Sequence, residues 1–324
     1  MKPKTIVIGA AHWHVPLYVP ALLERNEIIG MHDGDPSLVA DFAVAAGVEA
    51  TEDWRSLLDL ERVEVAYVFG EHAQMAERCL AVIERGIPFV VEKPAGISIE
   101  ELRDIAAAAK EAGIPATVPL VQRGGPIETF LRRAGDPVYG RFSFIAGPPS
   151  RYLGNGSPWM VDPIQAGGGC LANLGPHFVD LFLRAVATTD VRVRATVSSA
   201  LHHGEIEDHA TLVITTADGR EGVIEVGYAF PGSPLKRYSS YAVAGSNGYA
   251  DIASDGKATF TSADGETTVE RIDVDSDSLY PPFVSLVADG LATNFAGLPT
   301  LDELAATMAV IWESYRQAQA EESP

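Results

Sequence analysis

The first residues with the spacing of a ligand-binding loop follow an apolar run, in the stretch IVIGAAHWHVP that begins at Ile6. A loop that binds a dinucleotide normally carries glycines in the pattern G-x-G-x-x-G between a strand and a helix. Gly9 occupies the first glycine position, but Ala11 and His14 occupy the second and third. Ala11 adds only one methyl group, whereas His14 is far bulkier than glycine. The stretch predicts a dinucleotide-binding loop in a degenerate form.

The two histidines of this loop leave several roles open. A helix that begins near His14 would direct the backbone N–H groups of His12, Trp13 and His14 toward a pyrophosphate. The side chain of His12 or His14 could also donate a hydrogen bond to phosphate, or both could cap or pack the turn. A metal site is not expected, because ligands at i and i+2 converge poorly and no nearby Cys, Asp or Glu completes a ligand set.

An acidic residue after the second predicted strand supports the dinucleotide interpretation. Asp33 lies 24 residues beyond Gly9, in the stretch EIIGMHDGDP. A carboxylate at this position accepts hydrogen bonds from the ribose hydroxyls and repels a 2′-phosphate. Lys and Arg are absent nearby, and Asp35 adds negative charge. The sequence predicts NAD rather than NADP, the alternative being that Asp33 is an ordinary turn residue before Gly34.

The elements that would position these residues change character near residue 122. Before it, short strand-like runs alternate with helical patterns, which predicts an α/β Rossmann domain with a doubly wound parallel sheet over residues 1–122. Ser98 and Glu101 form a capping box within it. Residues 123–324 combine a helix over about 169–187 with Asp-Gly and Asn-Gly turns, which predicts an α+β domain with a large, mainly antiparallel open sheet. A final helix over about 301–319 could pack back on the first domain.

The bulk composition excludes several classes of protein. A chain of 324 residues, 47% of them hydrophobic, can bury the cores of two domains. The formal net charge of -20 argues against nucleic acid and anionic membranes as partners. Cys79 and Cys170 do not make a disulfide framework. The apolar runs are too short to cross a bilayer, and the first is too short for a signal peptide, so we expect a cytoplasmic protein.

Two further motifs resemble those of a known family. The stretch VVEKPAGISIEE places Glu92-Lys93-Pro94 after the fifth predicted strand, and GGGCLANLGPHFVD runs from Gly167 to Asp180. In this order they resemble the E-K-P and G-G-G-x-L-x-D-x-G-x-H-x-x-D motifs of the glucose–fructose oxidoreductase, inositol dehydrogenase and rhizopine-catabolism family (Gfo/Idh/MocA). The resemblance covers essentially the whole chain. It implies a pyridine-nucleotide oxidoreductase for sugars, cyclitols or related polyols, which forms a homodimer or homotetramer through its open sheet.

The resemblance also implies a catalytic pair. Lys93 would lie by the nicotinamide and hydrogen-bond the reacting oxygen, and His177 would accept the hydroxyl proton. Both roles suit alcohol oxidation, because His is a base near neutral pH and a lysine stabilises developing alkoxide charge. The family usually places a carboxylate at position 173, where this chain has Asn173. Since Asn carries no charge, we expect His177 to be a weaker base and Lys93 to deprotonate more easily.

Other positions of the family pattern also differ. The T-P-N loop after the fourth strand is replaced by Gly70-Glu71-His72, and the histidine expected three positions later is Met75. Gly70, His72 and Glu92 remain candidates for cofactor contacts. The candidates for substrate contacts are an arginine after the last Rossmann strand and two aromatic residues in the irregular segment before Gly167, namely Arg123, Tyr152 and Trp159.

These observations favour an NAD-dependent dehydrogenase or reductase that acts on CH–OH groups. The departures at Ala11, His14, residues 70–72 and Asn173 also suit a non-catalytic sensor that binds a dinucleotide. A lyase or epimerase that retains NAD and uses it transiently is a third hypothesis.

Overall fold

The computed structural model describes residues 2–231 and 237–322, which divide into two compact units. Each unit is discontinuous in sequence. The first unit comprises Met1–Pro119, Tyr152–Gly167 and Asp277–Ala305, and the second comprises Leu120–Arg151, Gly168–Ser276 and Ala306–Pro324. The division into domains at about residue 122 stays a prediction.

The first unit is built on a parallel sheet of six strands within the described ranges. Its strands are β1 (Lys4–Ile8), β2 (Glu27–His32), β3 (Ala50–Thr51), β4 (Val65–Val68), β5 (Phe89–Val91) and β6 (Ala116–Thr117). Their order, β3-β2-β1-β4-β5-β6, reverses between β1 and β4, where ligands bind in sheets of this topology. Ile6, Val7 and Ile8 are completely buried, as in a parallel sheet covered on both faces. The predicted doubly wound sheet is confirmed.

Helices follow most of these strands. They are α1 (Val15–Arg25), α2 (Ala40–Ala46), α3 (Trp54–Leu57), α4 (His72–Glu84) and α5 (Ile99–Ala112). At the start of α5, the Glu101 N–H donates to Ser98 Oγ at 3.2 Å and the Glu101 carboxylate accepts the Ile97 N–H at 2.8 Å. The predicted capping pair therefore closes this helix end. Strand β6 has only two residues, and Pro119, two residues beyond it, lacks an N–H for the ladder.

The second unit contains a larger, mainly antiparallel sheet. Its strands are β7 (Pro137–Ala146), β8 (Val191–Ser198), β9 (His209–Thr216), β10 (Glu221–Gly227), β11 (Arg237–Gly245), β12 (Gly248–Ile252), β13 (Lys257–Ser262) and β14 (Thr267–Arg271). They lie in the order β14-β13-β12-β11-β7-β10-β9-β8. Strands β7 and β10 pair in parallel and the other neighbours pair antiparallel. This arrangement confirms the predicted fold class.

The remaining helices are α6 (Pro126–Leu131), α7 (Ser150–Gly154), α8 (Pro163–Ala166), α9 (Cys170–Val186), α10 (Tyr280–Gly290) and α11 (Leu301–Glu322). Short 3-10 turns occur at Pro36–Val39, Arg132–Ala134, Pro158–Val161, Ser276–Leu279 and Leu291–Thr293. Helix α9 continues through Pro176, which is buried. Within residues 2–231 and 237–322, no helix has both the length and the apolar character needed to cross a membrane. The packing of the final helix on the first domain stays a prediction.

Candidate active site

The loop after β1 lies against the end of β4 with no side chain between them. Gly9 has φ +73°, a conformation that favours glycine. A Cβ atom at Gly9 would lie 2.6 Å from the carbonyl oxygen of Phe69 and 2.8 Å from the Cα of Gly70. A Cβ at Gly70 would overlap the guanidinium of Arg78. Glycine is therefore required at both positions for this close approach.

The carboxylate of Asp33 connects the end of β2 to this loop. Its Oδ2 accepts the Ala11 N–H at 2.7 Å, and its Oδ1 accepts the Asp35 N–H at 3.1 Å. A cleft of about 700 Å³ opens here and is lined by Gly9, Asp33, Glu52 and Gly70, among others. The carboxylate predicted at the strand end therefore lies at a cleft of small-molecule size.

The backbone N–H groups of residues 12, 14 and 15 donate hydrogen bonds within the chain. The N–H of His12 donates to the Gly9 carbonyl at 3.2 Å, and the N–H of Val15 donates to the His12 carbonyl at 2.9 Å. The N–H of His14 donates to Nδ1 of His12 at 3.2 Å. Helix α1 thus begins one residue after His14, as predicted, but these N–H groups already have acceptors within the chain.

His14 is held in a buried cluster around Glu92. The Tyr18 hydroxyl donates to Glu92 Oε1 at 2.6 Å, and His14 Nδ1 lies 3.1 Å from the same oxygen. His14 Nε2 lies 3.2 Å from the Tyr280 hydroxyl. Burial, reinforced by Glu92, raises the pKa of Tyr18 well above its usual value. The side chain that replaces the third glycine is accommodated by Glu92, a cofactor candidate in the sequence analysis, and by Tyr18 and Tyr280, which that analysis did not identify.

Lys93 is a buried cation beside an aromatic residue of the loop. Its side chain is 1% exposed, and its Nζ lies 5.8 Å from the centre of the Trp13 ring, within reach of a cation–π interaction. The Trp13 ring also meets Tyr152 edge to face, with ring centres 5.5 Å apart. Lys93, Trp13 and Tyr152, which the sequence analysis predicted to contact the reacting oxygen, the cofactor and the substrate respectively, therefore lie close together.

His72 and His12 are two buried, neutral imidazoles of the first unit that pack beside Trp159. The Nδ1 of His72 lies 2.7 Å from the Ala166 carbonyl, so the neutral ring donates its proton there. Burial lowers the pKa of His72 to about 3 and lowers the pKa of His12 well below its usual value. Both rings pack against Trp159, with ring centres 4.7 Å and 5.5 Å from it.

In the second unit, Asn173 lies on α9, one turn before His177. Its Nδ2 donates to the hydroxyl of the buried Tyr228 at 2.9 Å. The same hydroxyl lies 3.5 Å from the Gly169 carbonyl, which it can use as an acceptor. Tyr228 was missed by the sequence analysis because nothing in its local pattern distinguishes it from a core tyrosine.

The G-G-G motif forms the capped N-terminus of α9. The Glu207 carboxylate accepts the N–H groups of Gly169 and Leu171, each at 2.8 Å, and the Tyr315 hydroxyl at 2.6 Å. Burial raises the pKa of Glu207. A Cβ at Gly168 would overlap the Tyr315 hydroxyl, and one at Gly169 would lie 2.7 Å from Glu207 Oε2. These glycines allow the two capping side chains to approach the helix that carries Asn173.

Arg123 forms an ion pair with the last residue of the second motif. Its Nε donates to Asp180 Oδ2 at 2.8 Å, and its Nη2 donates to Oδ1. Both side chains are largely buried. A contact between Arg123 and substrate stays a prediction. Among the residues that the structure describes, no three His, Cys, Asp or Glu side chains are arranged to hold a metal ion.

Comparison with known families decides the classification. A family model described as an oxidoreductase family with an NAD-binding Rossmann fold matches residues 4–119, and a GFO/IDH/MocA C-terminal domain model matches residues 132–251. The chain belongs to the Gfo/Idh/MocA oxidoreductase family. The resemblance inferred from the E-K-P and G-G-G motifs is therefore confirmed.

Similar proteins include several sugar dehydrogenases. D-apiose dehydrogenase of Paraburkholderia graminis is 26% identical over 225 residues, which cover 64% of this chain and 55% of that protein. Levoglucosan dehydrogenase of Pseudarthrobacter phenanthrenivorans is 26% identical over 215 residues, which cover 63% of this chain and 53% of that protein. The chain therefore matches only about half the length of these relatives.

Solved structures share the fold over nearly the whole chain. GenD2 from gentamicin A biosynthesis, in complex with NAD, superimposes with a TM-score of 0.81 and 22% identity over 99% of this chain and 95% of that one. Levoglucosan dehydrogenase in complex with NADH and levoglucosan gives a TM-score of 0.84 and 18% identity over 99% and 98% of the two chains. At such identities the likeness establishes the fold of this Gfo/Idh/MocA protein.

Proposed function

We propose that this Gfo/Idh/MocA protein is an NAD-dependent dehydrogenase or reductase. It transfers a hydride between the nicotinamide and a hydroxyl or keto carbon of a sugar, cyclitol or related polyol. The observation that carries the proposal is Lys93, a buried lysine two residues after the parallel strand β5, whose Nζ lies 5.8 Å from the ring centre of Trp13 in the loop that follows β1. The sugar substrates in the names of similar dehydrogenases support the substrate class.

The residues at the cleft fit a dinucleotide. Gly9 and Gly70 line the cleft at the carboxyl ends of β1 and β4, and a Cβ at either position would overlap neighbouring protein atoms and disturb this edge of the sheet. When bound, NAD supplies the hydride acceptor for alcohol oxidation. The chain residues that we propose to hold it are Gly9, Ala11, His12, Trp13, His14, Asp33, Gly70, His72, Glu92 and Lys93.

We infer a preference for NAD over NADP from the charge of the cleft. Both oxygens of Asp33 accept backbone N–H groups, which hold its carboxylate in place. Asp35 and Glu52 line the same cleft. A 2′-phosphate near these carboxylates would meet repulsion of about 4 kcal/mol per pair at 4 Å for an effective dielectric constant near 20. We expect at least tenfold weaker binding of NADPH than of NADH, with Asp33→Ser reducing that difference.

We propose that residues of the E-K-P and G-G-G motifs accept the substrate's hydroxyl proton and stabilise the charge that develops on its oxygen. Lys93 hydrogen-bonds the reacting oxygen and stabilises negative charge on it, and His177 accepts the hydroxyl proton. Asn173 orients these groups without adding charge, and its amide is held by the Tyr228 hydroxyl. Tyr152 and Trp159 are proposed substrate contacts, because an aromatic ring suits the apolar face of a sugar. Arg123 is the third residue that we propose contacts the substrate.

The test begins with NADH binding and continues with a polyol screen. NADH is titrated against the full chain by fluorescence, and NADH formation is then followed with sugars and cyclitols. Lys93→Met is expected to keep NADH affinity within a few-fold and to lower kcat/KM at least 100-fold, since an oxyanion-stabilising group contributes roughly that factor. Lys110→Met, at an exposed lysine of α5, is the matched control. Failure of the protein to bind NADH at millimolar concentration would refute the function.

A second candidate function is binding of a dinucleotide without turnover. Asn173 favours it, because an uncharged amide stands where the family usually places a carboxylate. This candidate predicts that NADH binds, that no polyol is oxidised and that Lys93→Met leaves function intact. NAD that purifies with the protein and drives conversion of a sugar without net NADH would instead identify a lyase or epimerase.

We further propose a cytoplasmic homodimer or homotetramer assembled through the open face of the second unit's sheet. The net charge of -20 supports the proposal that neither nucleic acid nor a membrane is a partner. Light scattering during size-exclusion chromatography distinguishes a monomer, a dimer and a tetramer.

A further inference from the structure

The backbone of the loop after β1 has few N–H groups to offer a phosphate. Gly9 and Ala10 donate to the His32 carbonyl at 3.0 Å and 2.9 Å, and Ala11 donates to Asp33 at 2.7 Å. The N–H groups of residues 12, 14 and 15 also have acceptors within the chain. In a G-x-G-x-x-G loop, backbone N–H groups at these positions contact the pyrophosphate. A side-chain donor at this loop would add to the few backbone donors that remain.

The His12 imidazole is a buried donor at the same cleft. Its side chain is 2% exposed, and the residue lines the cleft. Its Nδ1 accepts the His14 N–H at 3.2 Å, so the proton of the neutral ring resides on Nε2. Among residues 2–231 and 237–322, Nε2 has no hydrogen-bond partner. A buried donor without an acceptor is costly, which points to a ligand that completes it.

His14, the other candidate in the loop, is already engaged. Its Nδ1 faces the Glu92 carboxylate at 3.1 Å, and its Nε2 faces the Tyr280 hydroxyl at 3.2 Å. Both ring nitrogens therefore face polar atoms of the buried cluster around Glu92, Nδ1 at ion-pair distance and Nε2 at hydrogen-bond distance. The sequence left open whether these histidines pack the turn or donate a hydrogen bond to phosphate. His14 packs inside the first unit, and His12 is the candidate for the phosphate.

The charge of the cleft explains why an additional donor is needed. Acidic side chains dominate its lining, namely Asp33, Asp35, Glu52, Glu71 and Asp162. Arg78 is the basic side chain among the lining residues, and its Nη1 donates to the Phe69 carbonyl at 2.9 Å behind Gly70. Its Nη2 donates to Gln74, and among the described residues both of these hydrogen bonds go to uncharged oxygens, so its positive charge faces the anion site although Glu71 and Asp33 act on it. Arg78 and His12 together offset the acidic lining.

We propose that Nε2–H of His12 donates a hydrogen bond to the pyrophosphate of the bound dinucleotide, in place of the backbone donors of a glycine-rich loop. The inference rests on the proposed NAD-dependent function. We therefore expect substitution of His12 to affect binding of the phosphates, because the adenosine part of a bound dinucleotide would lie toward Asp33 at the end of β2.

The test compares ligands with and without phosphates. ADP-ribose and adenosine are titrated against the full chain and against His12→Ala, His12→Gln and the control His203→Asn. Loss of a hydrogen bond to a charged group predicts about 10- to 100-fold weaker binding of ADP-ribose by His12→Ala. Adenosine affinity is expected to stay within twofold. His12→Gln restores most of the ADP-ribose affinity, because its amide carries a donor, and thermal melting verifies that each variant is folded.

The outcomes separate this inference from the proposed function. A wild-type chain that binds neither NADH nor ADP-ribose overturns both. A wild-type chain that binds both, with unchanged ADP-ribose affinity in His12→Ala, overturns the role of His12 alone. Equal losses for ADP-ribose and adenosine also overturn it, because they indicate that the imidazole supports the fold of the loop rather than the phosphate.

Discussion

Acidification is expected to destabilise this protein through imidazoles that are buried without charge. Burial lowers the pKa of His72 from 6.5 to about 3. Between these values the unfolded chain binds a proton at His72 and the folded chain does not, so the free energy of unfolding decreases as the pH falls below 6.5. At pH 5 the loss from His72 is about 2 kcal/mol, since each pH unit below the unfolded pKa contributes about 1.4 kcal/mol. His32 adds to it, because burial lowers its pKa to about 4.

The contribution of His72 is isolated with one substitution. His72→Gln removes the titrating group but keeps a donor for the Ala166 carbonyl, which His72 Nδ1 contacts at 2.7 Å. Between pH 7.5 and pH 5, the variant is expected to lose about 2 kcal/mol less stability than the wild type. Urea unfolding at a series of pH values, followed by tryptophan fluorescence, measures the difference.

His203→Asn is the control for this experiment. His203 is exposed and has φ +53°, a backbone conformation that Asn adopts readily. We expect this control to follow the pH dependence of the wild type. If His72→Gln also follows it, the folded protein does not exclude a proton from His72, and the reasoning from burial is refuted.

Three further substitutions test the helix cap, the proton acceptor and the glycine contact. Glu207→Gln is expected to lower the free energy of unfolding by about 2–3 kcal/mol, because a charged acceptor is lost at a helix N-terminus; a urea-unfolding change below about 0.5 kcal/mol would contradict the cap. Asn173→Asp is expected to raise the pKa of the acidic limb of the kcat/KM profile by about one pH unit, through the effect of a carboxylate on His177; an unmoved limb would exclude that coupling. Gly70→Ala is expected to weaken NADH binding at least tenfold because its Cβ overlaps a buried guanidinium, whereas Gly204→Ala, whose Cβ meets nothing within 4 Å, is expected to leave the Kd unchanged.

Local patterns were sufficient wherever the relevant residues are close in sequence or lie at strand ends. Gly9 follows an apolar strand, Asp33 follows the next, and Lys93 follows the fifth, and a parallel sheet brings such ends to one edge. The capping pair of Ser98 and Glu101 spans a single helical turn. The Rossmann fold, the family and the place of the cleft could therefore be predicted from the sequence.

Tertiary structure alone decided which polar groups meet across long stretches of chain. His14 meets Tyr280, 266 residues away, and Glu207 caps a helix that begins 37 residues before it. Arg123, a candidate for substrate by position, is paired with Asp180. Residue type indicates that a buried polar group needs a partner, but several partners in the chain satisfy that need equally well. Which of them is selected depends on how distant segments pack, and this packing places His14 beside Glu92 and Tyr280 while Nε2 of His12 has no hydrogen-bond partner among the described residues.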